Sequence, residues 1–266
     1  MKRRLWPHYL VLIVVAFLLL APIVATLIYS FTTSWVRVLP SGWTLKYWHE
    51  LITEKPVFWQ SIVRSFIISV IPILITILII IMAMYVVVLY VPALDTVIQS
   101  ICMIPFTLRG VILAIAVLGL YAGKGILFSN RLVMLVCIYC VSILPYVYRG
   151  IRNNLYAINV RQILEAAELL GAGGLYTFFR IIVPNMLSGI LVSALLSLGS
   201  IFTDYAVIKI IAGSRYITAQ AQLYEINKTI GGPIASAVVI VMFTTTLLIA
   251  VASYKLQNKS EGQSQK

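Results

Sequence analysis

Long runs of Leu, Ile and Val, nearly free of charge, recur six times along the chain, at 9–31, 65–90, 96–121, 132–148, 181–202 and 234–254. A helix needs about 20 apolar residues to cross the hydrocarbon core of a bilayer. The runs have that order of length. The fourth is short, and the second and third are long enough to tilt or extend past the core. A membrane-spanning strand would alternate apolar and polar residues over roughly ten positions, and the stretch from Ile67 to Met82 shows no such alternation. Backbone groups in lipid must be satisfied within the segment, which leaves helices. The expected fold is an all-α integral membrane protein with six transmembrane helices. It forms one domain over 1–254, followed by a polar tail, 255–266, that reads as disordered.

Lys2, Arg3 and Arg4 precede the first run, as in a signal peptide. The run exceeds the roughly 7–15-residue apolar core of such a peptide, and no A-x-A site follows it, so a retained helix is expected. Basic residues before the first span place the amino terminus on the cytoplasmic side, and six spans return the carboxyl terminus there. The Lys and Arg counts on the two sides are nearly equal. The inside segments are shorter, so their basic density is somewhat higher.

Composition strengthens the membrane reading. Hydrophobic residues make up 61% of the chain and charged residues 11%, against about half and a quarter in soluble domains. Soluble enzymes and disordered chains are excluded. The net charge of +12 does not point to nucleic acid, because the basic residues are dispersed at the ends of apolar runs, where they anchor to anionic lipid. Cys137 and Cys140 form a C-x-x-C, but no second pair and no neighbouring His accompany them. With Cys102 they read as small buried apolar side chains, not as a metal or redox site.

The connections differ in character. Residues 32–64 form a long external segment with Trp35, Trp43, Trp48 and Trp59, whose rings suit the headgroup zone, and Leu45 to Ile52 fits a short surface helix. Residues 203–233 form another long external loop. Asp95, just after Pro92, reads as a helix cap. The most polar connection is 149–180. Here Asn159 is a candidate N-cap, with Gln162 three residues on. Ile163, Ala166, Ala167 and Leu170 form one apolar stripe at helical spacing, and Arg161 pairs with Glu165 at i,i+4. Gly171, Gly173 and Gly174 end the helix. A second short helix, Leu175 to Arg180, leads into the fifth span, with Pro184 one turn inside it. Periodicity alone leaves two readings open: a helix lying on lipid, or a knob that docks on a soluble partner.

Glu165-Ala166-Ala167, three residues, Gly171, nine residues, Ile181, one residue and Val183-Pro184 together resemble the EAA loop of permease subunits in bacterial ATP-binding-cassette importers of the type I fold. Val183 stands where that pattern has Leu. The six-span layout around the loop matches as well. The resemblance implies a bacterial inner-membrane, multi-pass permease whose 149–180 loop is a cytoplasmic coupling helix seated on an ATPase. Glu165, Ala166, Ala167 and Gly171 would be the coupling positions, with Glu168 adding charge. It implies two ATPase subunits that use ATP and Mg, a second permease and an extracytoplasmic solute-binding protein. A heterodimer of permeases is expected over a homodimer. The chain itself shows no G-x-x-x-x-G-K-[ST] phosphate loop and is expected neither to bind ATP nor to catalyse a reaction.

An ionisable group at membrane depth is a functional candidate. Arg109 lies within the third run and Asp204, followed by Tyr205, just beyond the fifth. They either line a translocation path or pair with each other to hold helices together. The run from Ile201 to Gly213 resembles the polyamine branch of these permeases, so spermidine or putrescine is the expected solute. Organophosphonate, sulfate and ferric ion are alternatives, and Arg109 would favour an anion. Tyr224 and Glu225, in the last external loop, are candidate docking residues for the binding protein. A secondary transporter or channel, the competing class, would need internal repeats and discontinuous helices. No repeat is evident between 9–121 and 132–254.

Overall fold

A computed structural model of the chain describes residues 6–35, 40–54, 56–107, 110–121, 130–213 and 215–264. In chain order the elements are α1 (Trp6–Ser30), β1 (Thr32–Ser34), β2 (Ser41–Trp43), α2 (Lys46–His49), α3 (Pro56–Leu89), α4 (Leu94–Thr107), α5 (Val111–Tyr121) and α6 (Arg131–Ala157). There follow α7 (Val160–Leu169), α8 (Gly174–Thr177), α9 (Val183–Asn185), α10 (Leu187–Phe202), α11 (Ala206–Ile211), α12 (Ala219–Thr229) and α13 (Gly232–Ser264). Wide π-type turns over Glu50–Glu54 and Phe178–Ile182 join α2 towards α3 and α8 to α9.

Among the described residues, Tyr9–Ser30, α3 and α6 are each long and apolar enough to cross a membrane. The third and fifth runs each meet that criterion only as a pair of helices. The third is split into α4 and α5, and the fifth bends by 62° between Gly174–Asn185 and Leu187–Phe202. The last apolar helical stretch, Gly232–Leu248, is shorter. Helices therefore occupy all six expected stretches, but two are interrupted. α13 runs on to Ser264, so the tail expected to be disordered is helical as far as that residue. The expected loop 203–233 carries α11 and α12.

The chain divides into two compact units, Met1–Ser61 with Ala221–Thr246 and Ile62–Gln220 with Leu247–Lys266. In the first unit a small antiparallel hairpin follows α1, with Thr32 opposite Trp43 and Ser34 opposite Ser41. Gly42 supplies the left-handed conformation of the hairpin, at φ 70°. Phe31 stacks on Trp48 at 5.6 Å, and the Trp48 indole N–H donates to the Ser30 hydroxyl at 3.3 Å. Trp43 remains largely exposed, as a headgroup-level ring would be.

The second unit is built around α6, which packs against α10, α4, α5 and α11. Its buried face includes Met134, Leu135, Ile138, Tyr139, Ile143, Val147 and Ile151. The crossing with α10 is made by small residues. A Cβ on Gly150 would lie 2.5 Å from the Ser193 Cβ and 3.2 Å from the Gly189 carbonyl oxygen. Such close backbone approach drives helix association where there is no water to expel. Gly150→Ala is expected to destabilise the chain by about 1–3 kcal/mol, as overpacking does. Gly199→Ala, whose added Cβ meets nothing within 4 Å, should be neutral or slightly stabilising. Thermal unfolding of the two variants in detergent checks the contrast.

Of the three cysteines, Cys102 is buried, Cys140 half-buried and Cys137 exposed, so only the first fits the expectation of burial fully. The Cys140 thiol donates to the Pro72 carbonyl at 3.7 Å, a carbonyl on α3. Among the described residues no group of three or more His, Cys, Asp or Glu is placed to hold a metal.

Candidate functional site

Three features of the second unit carry chemistry: the short helix α7 with its glycine turn, a buried carboxylate at the start of α4, and a polar cavity beside α6.

α7 is amphipathic, but its buried stripe is displaced by three residues from the expected one and shares only Ile163 and Ala167 with it. Val160, Ile163 and Leu164 pack on the core, and Ala167 is buried. Ala166 is exposed, and Leu169 and Leu170 are 90% and 87% exposed. The reason is the 3.6-residue period: Val160, Ile163, Leu164 and Ala167 also fall at i, i+3, i+4 and i+7, and they bury more bulk than the alternative set. Asn159 makes no side-chain cap. Arg161 and Glu165 do pair at 3.0 Å, on the exposed face. Glu168 and Gly171 are exposed too.

The C-terminus of α7 is a Schellman motif. The Ala172 N–H donates to the Ala167 carbonyl and the Gly171 N–H to the Glu168 carbonyl, both at 2.9 Å. Gly171 sits at φ +79°, where an L side chain is strained. Aromatic packing then fixes the outgoing chain. Tyr85, near the end of α3, meets Phe178 edge-on at 5.2 Å and Phe179 at 5.9 Å. A Cβ on Gly174 would lie 3.1 Å from a Leu89 methyl. With its apolar stripe on the core and the following segment on the end of α3, the helix and its turn stand as a formed knob.

Asp95 is not a simple cap. Its side chain is nearly buried, and four donor groups from α6 converge on it. The Arg152 Nη2 and Nε reach Oδ2 and Oδ1 at 2.7 and 3.1 Å. The Tyr148 hydroxyl donates to Oδ1 at 2.8 Å and the Tyr156 hydroxyl to Oδ2 at 2.9 Å. The Arg152 guanidinium also lies 4.6 Å from the Tyr156 ring centroid. Two parallel N–H···O bonds fix orientation as well as charge. The pair ties the first turn of α4 to the end of α6, two turns before α7 begins.

The polar cavity, about 410 Å³, is lined from α4, α6, α10 and α11, with Phe106, Tyr139, Ser142, Tyr146, Ser200 and Asp204 facing it. Asp204 caps α11, its Oδ1 accepting the Val207 N–H at 3.2 Å. The Tyr139 hydroxyl is buried and has no hydrogen-bond partner. It lies near enough to sense the Asp204 carboxylate, but the geometry falls short of a hydrogen bond. Tyr205 is half-buried and does not line this cavity. Arg109 lies outside the described residues. Tyr224 and Glu225 fall on α12, in the other unit.

Sequence reasoning missed Tyr139, Ser142 and Tyr146. A signal was present: they recur at i, i+3 and i+7 within an apolar run, a polar line along one helix face that continues through Arg149 and Asn153 into a neighbouring cavity. Asp95 offered none, since its partners lie 53 to 61 residues away.

Comparison with known proteins adds an independent finding. A family model described as "binding-protein-dependent transport system inner membrane component" matches residues 66–260. No curated protein matches the chain. Among solved structures, the chain is similar to a chain from the crystal structure of a bacterial ABC transporter involved in the import of the acidic polysaccharide alginate. The two share 17% identity and a TM-score of 0.71, covering 97% of this chain and 96% of the other.

Proposed function

We infer the function from a premise now established: the chain belongs to the family of binding-protein-dependent transport system inner membrane components. It is the transport permease subunit of an ABC importer, an inner-membrane and non-catalytic component that works with a partner permease, an ATPase and a binding protein. Beyond that, α7 is the coupling helix. Glu165, Ala166, Glu168 and Gly171 present the surface that an ATPase cleft receives, and Ala167 seats the helix on its own chain. The single observation that carries this reading is the exposure of Leu169 and Leu170. The helix is anchored by Val160, Ile163 and Leu164, yet two large apolar side chains stand out from it, uncovered, at the turn.

In this reading both termini and α7 face the cytoplasm. ATP and Mg act on two ATPase subunits, and closure of their dimer moves α7 and, through the α6 core, the helices that line the path. A second, different permease completes the path, and Tyr224 and Glu225 face the binding protein. Asp204 lines the path, Tyr205 lies beside it, and a polyamine is the solute. The fold of the alginate importer does not bear on cargo at 17% identity.

The test is reconstitution of the chain with its partner permease, ATPase and binding protein in proteoliposomes. Uptake of spermidine or putrescine should require ATP and every component. Uptake that persists without the ATPase would refute the assignment.

A further inference from the structure

We propose that the cavity beside α6 is a binding site for the ammonium group of an organic cation, with the Asp204 carboxylate as its counter-ion and the Tyr139 hydroxyl as a second oxygen. The proposal rests on the permease reading above and gives that path a chemical specificity.

Three observations support it independently of resemblance. Asp204 meets the cavity with lone pairs to spare, since a carboxylate offers about four acceptor sites and the backbone N–H groups at the start of α11, Val207 with Ala206 beside it, take only part of them. No described Lys or Arg lines the cavity. A half-buried carboxylate without a cation is costly, and a cationic solute would remove the cost. Second, Tyr139 is 2% exposed and borders the same space, and its buried hydroxyl has no partner. Buried hydroxyls are rarely left so, and this one can accept a hydrogen bond from an N–H donor held by Asp204. Third, Phe106 and Tyr146 add aromatic faces, which attract alkylammonium groups and cover methylene chains. The volume of about 410 Å³ lies within the range of small-molecule sites, roughly 300–1,000 Å³. Arg149 stacks 5.4 Å from the Phe106 centroid and lines the neighbouring cavity.

The site predicts a cation over an anion, which separates it from sulfate, organophosphonate or an acidic polysaccharide. The experiment is equilibrium binding of radiolabelled spermidine and putrescine to the assembled importer in nanodiscs, with labelled sulfate in parallel. Gel filtration confirms that each variant complex is intact. Spermidine or putrescine should bind. Asp204→Asn should weaken binding at least tenfold and Tyr139→Phe by a smaller factor. Ser142→Phe, which fills the cavity, should abolish it in an intact complex. Undiminished binding in intact Asp204→Asn would overturn the proposal. So would binding of sulfate in place of both amines, or of neither amine. ATP-dependent uptake by the wild-type importer is read separately. An importer that takes up sulfate with ATP leaves the permease reading standing and this site refuted. A chain that neither recruits the ATPase nor imports with ATP refutes the permease reading itself.

Discussion

In an importer assembled with Glu165→Lys, ATP-driven uptake should fall at least tenfold while the complex still inserts in membranes, and Gly171→Val should do the same. The two substitutions act by different physics. Glu165 is exposed and its pairing with Arg161 is a surface ion pair, worth about 0.3–0.5 kcal/mol. Losing that pair alone would change little, so a large defect would report the surface that α7 offers to a partner. Gly171 acts through the backbone. At φ +79° a β-branched residue is strained, by about 1–3 kcal/mol. The Schellman hydrogen bonds from Ala172 and Gly171 would have to loosen, and the exposed Leu169–Leu170 turn would move with them. Uptake and ATPase activity measured together in proteoliposomes check both. The expected signature is ATP hydrolysis that no longer responds to the loaded binding protein.

Asp95→Ala should be the most destabilising single change in the second unit. It strands Arg152, Tyr148 and Tyr156 at a largely buried site. Breaking a buried pair by removing one partner costs about 3–5 kcal/mol, because the other charge is left uncompensated. Arg152 is about a third exposed, so the lower end of that range is expected. Removing both partners at once, as in Asp95→Asn with Arg152→Gln, should cost less than the sum of the single changes. Thermal unfolding of the four variants in detergent gives the cycle. The network also links α4, whose end lines the polar cavity, to the stretch of α6 that leads into α7. Any loss of stability should therefore come with weaker coupling of ATP hydrolysis to uptake.

Much of this was readable in the residues. The six apolar runs marked where helices form, because bilayer thickness and the need to satisfy backbone groups leave few alternatives. The Glu165–Gly171 spacing marked the helix-turn unit, and the Arg161–Glu165 pair formed as i,i+4 geometry requires. The failures have physical causes. The interruption near Gly110 and the bend before Leu187 are invisible to hydropathy, since apolar content is continuous across both. At Gly110 the backbone takes φ 75°, a requirement that no average over a window reports. The buried face of α7 is displaced by three residues because two stripes share the same period, and only packing against the core decides between them. Asp95 reads as a cap from sequence because its first-turn position has a sufficient local explanation. Its true partners come from a helix far along the chain. Tyr139, a lone tyrosine in an apolar run, reads as bulk until its i+3 and i+7 neighbours are considered. The helical tail beyond Lys255 extends a span through residues whose composition alone suggested a coil.

The central claim is that the exposed apolar turn of α7 is held by the importer's ATPase on the cytoplasmic side. Site-specific cross-linking tests it most directly. A single cysteine at Leu169 or Leu170, in a chain with Cys102, Cys137 and Cys140 replaced by alanine, is placed in the assembled complex in intact cells. A cross-link from either position to the ATPase, with no labelling by a membrane-impermeant thiol reagent added outside, is the predicted result. Labelling from outside, or cross-links to lipid alone with the ATPase present, would contradict it.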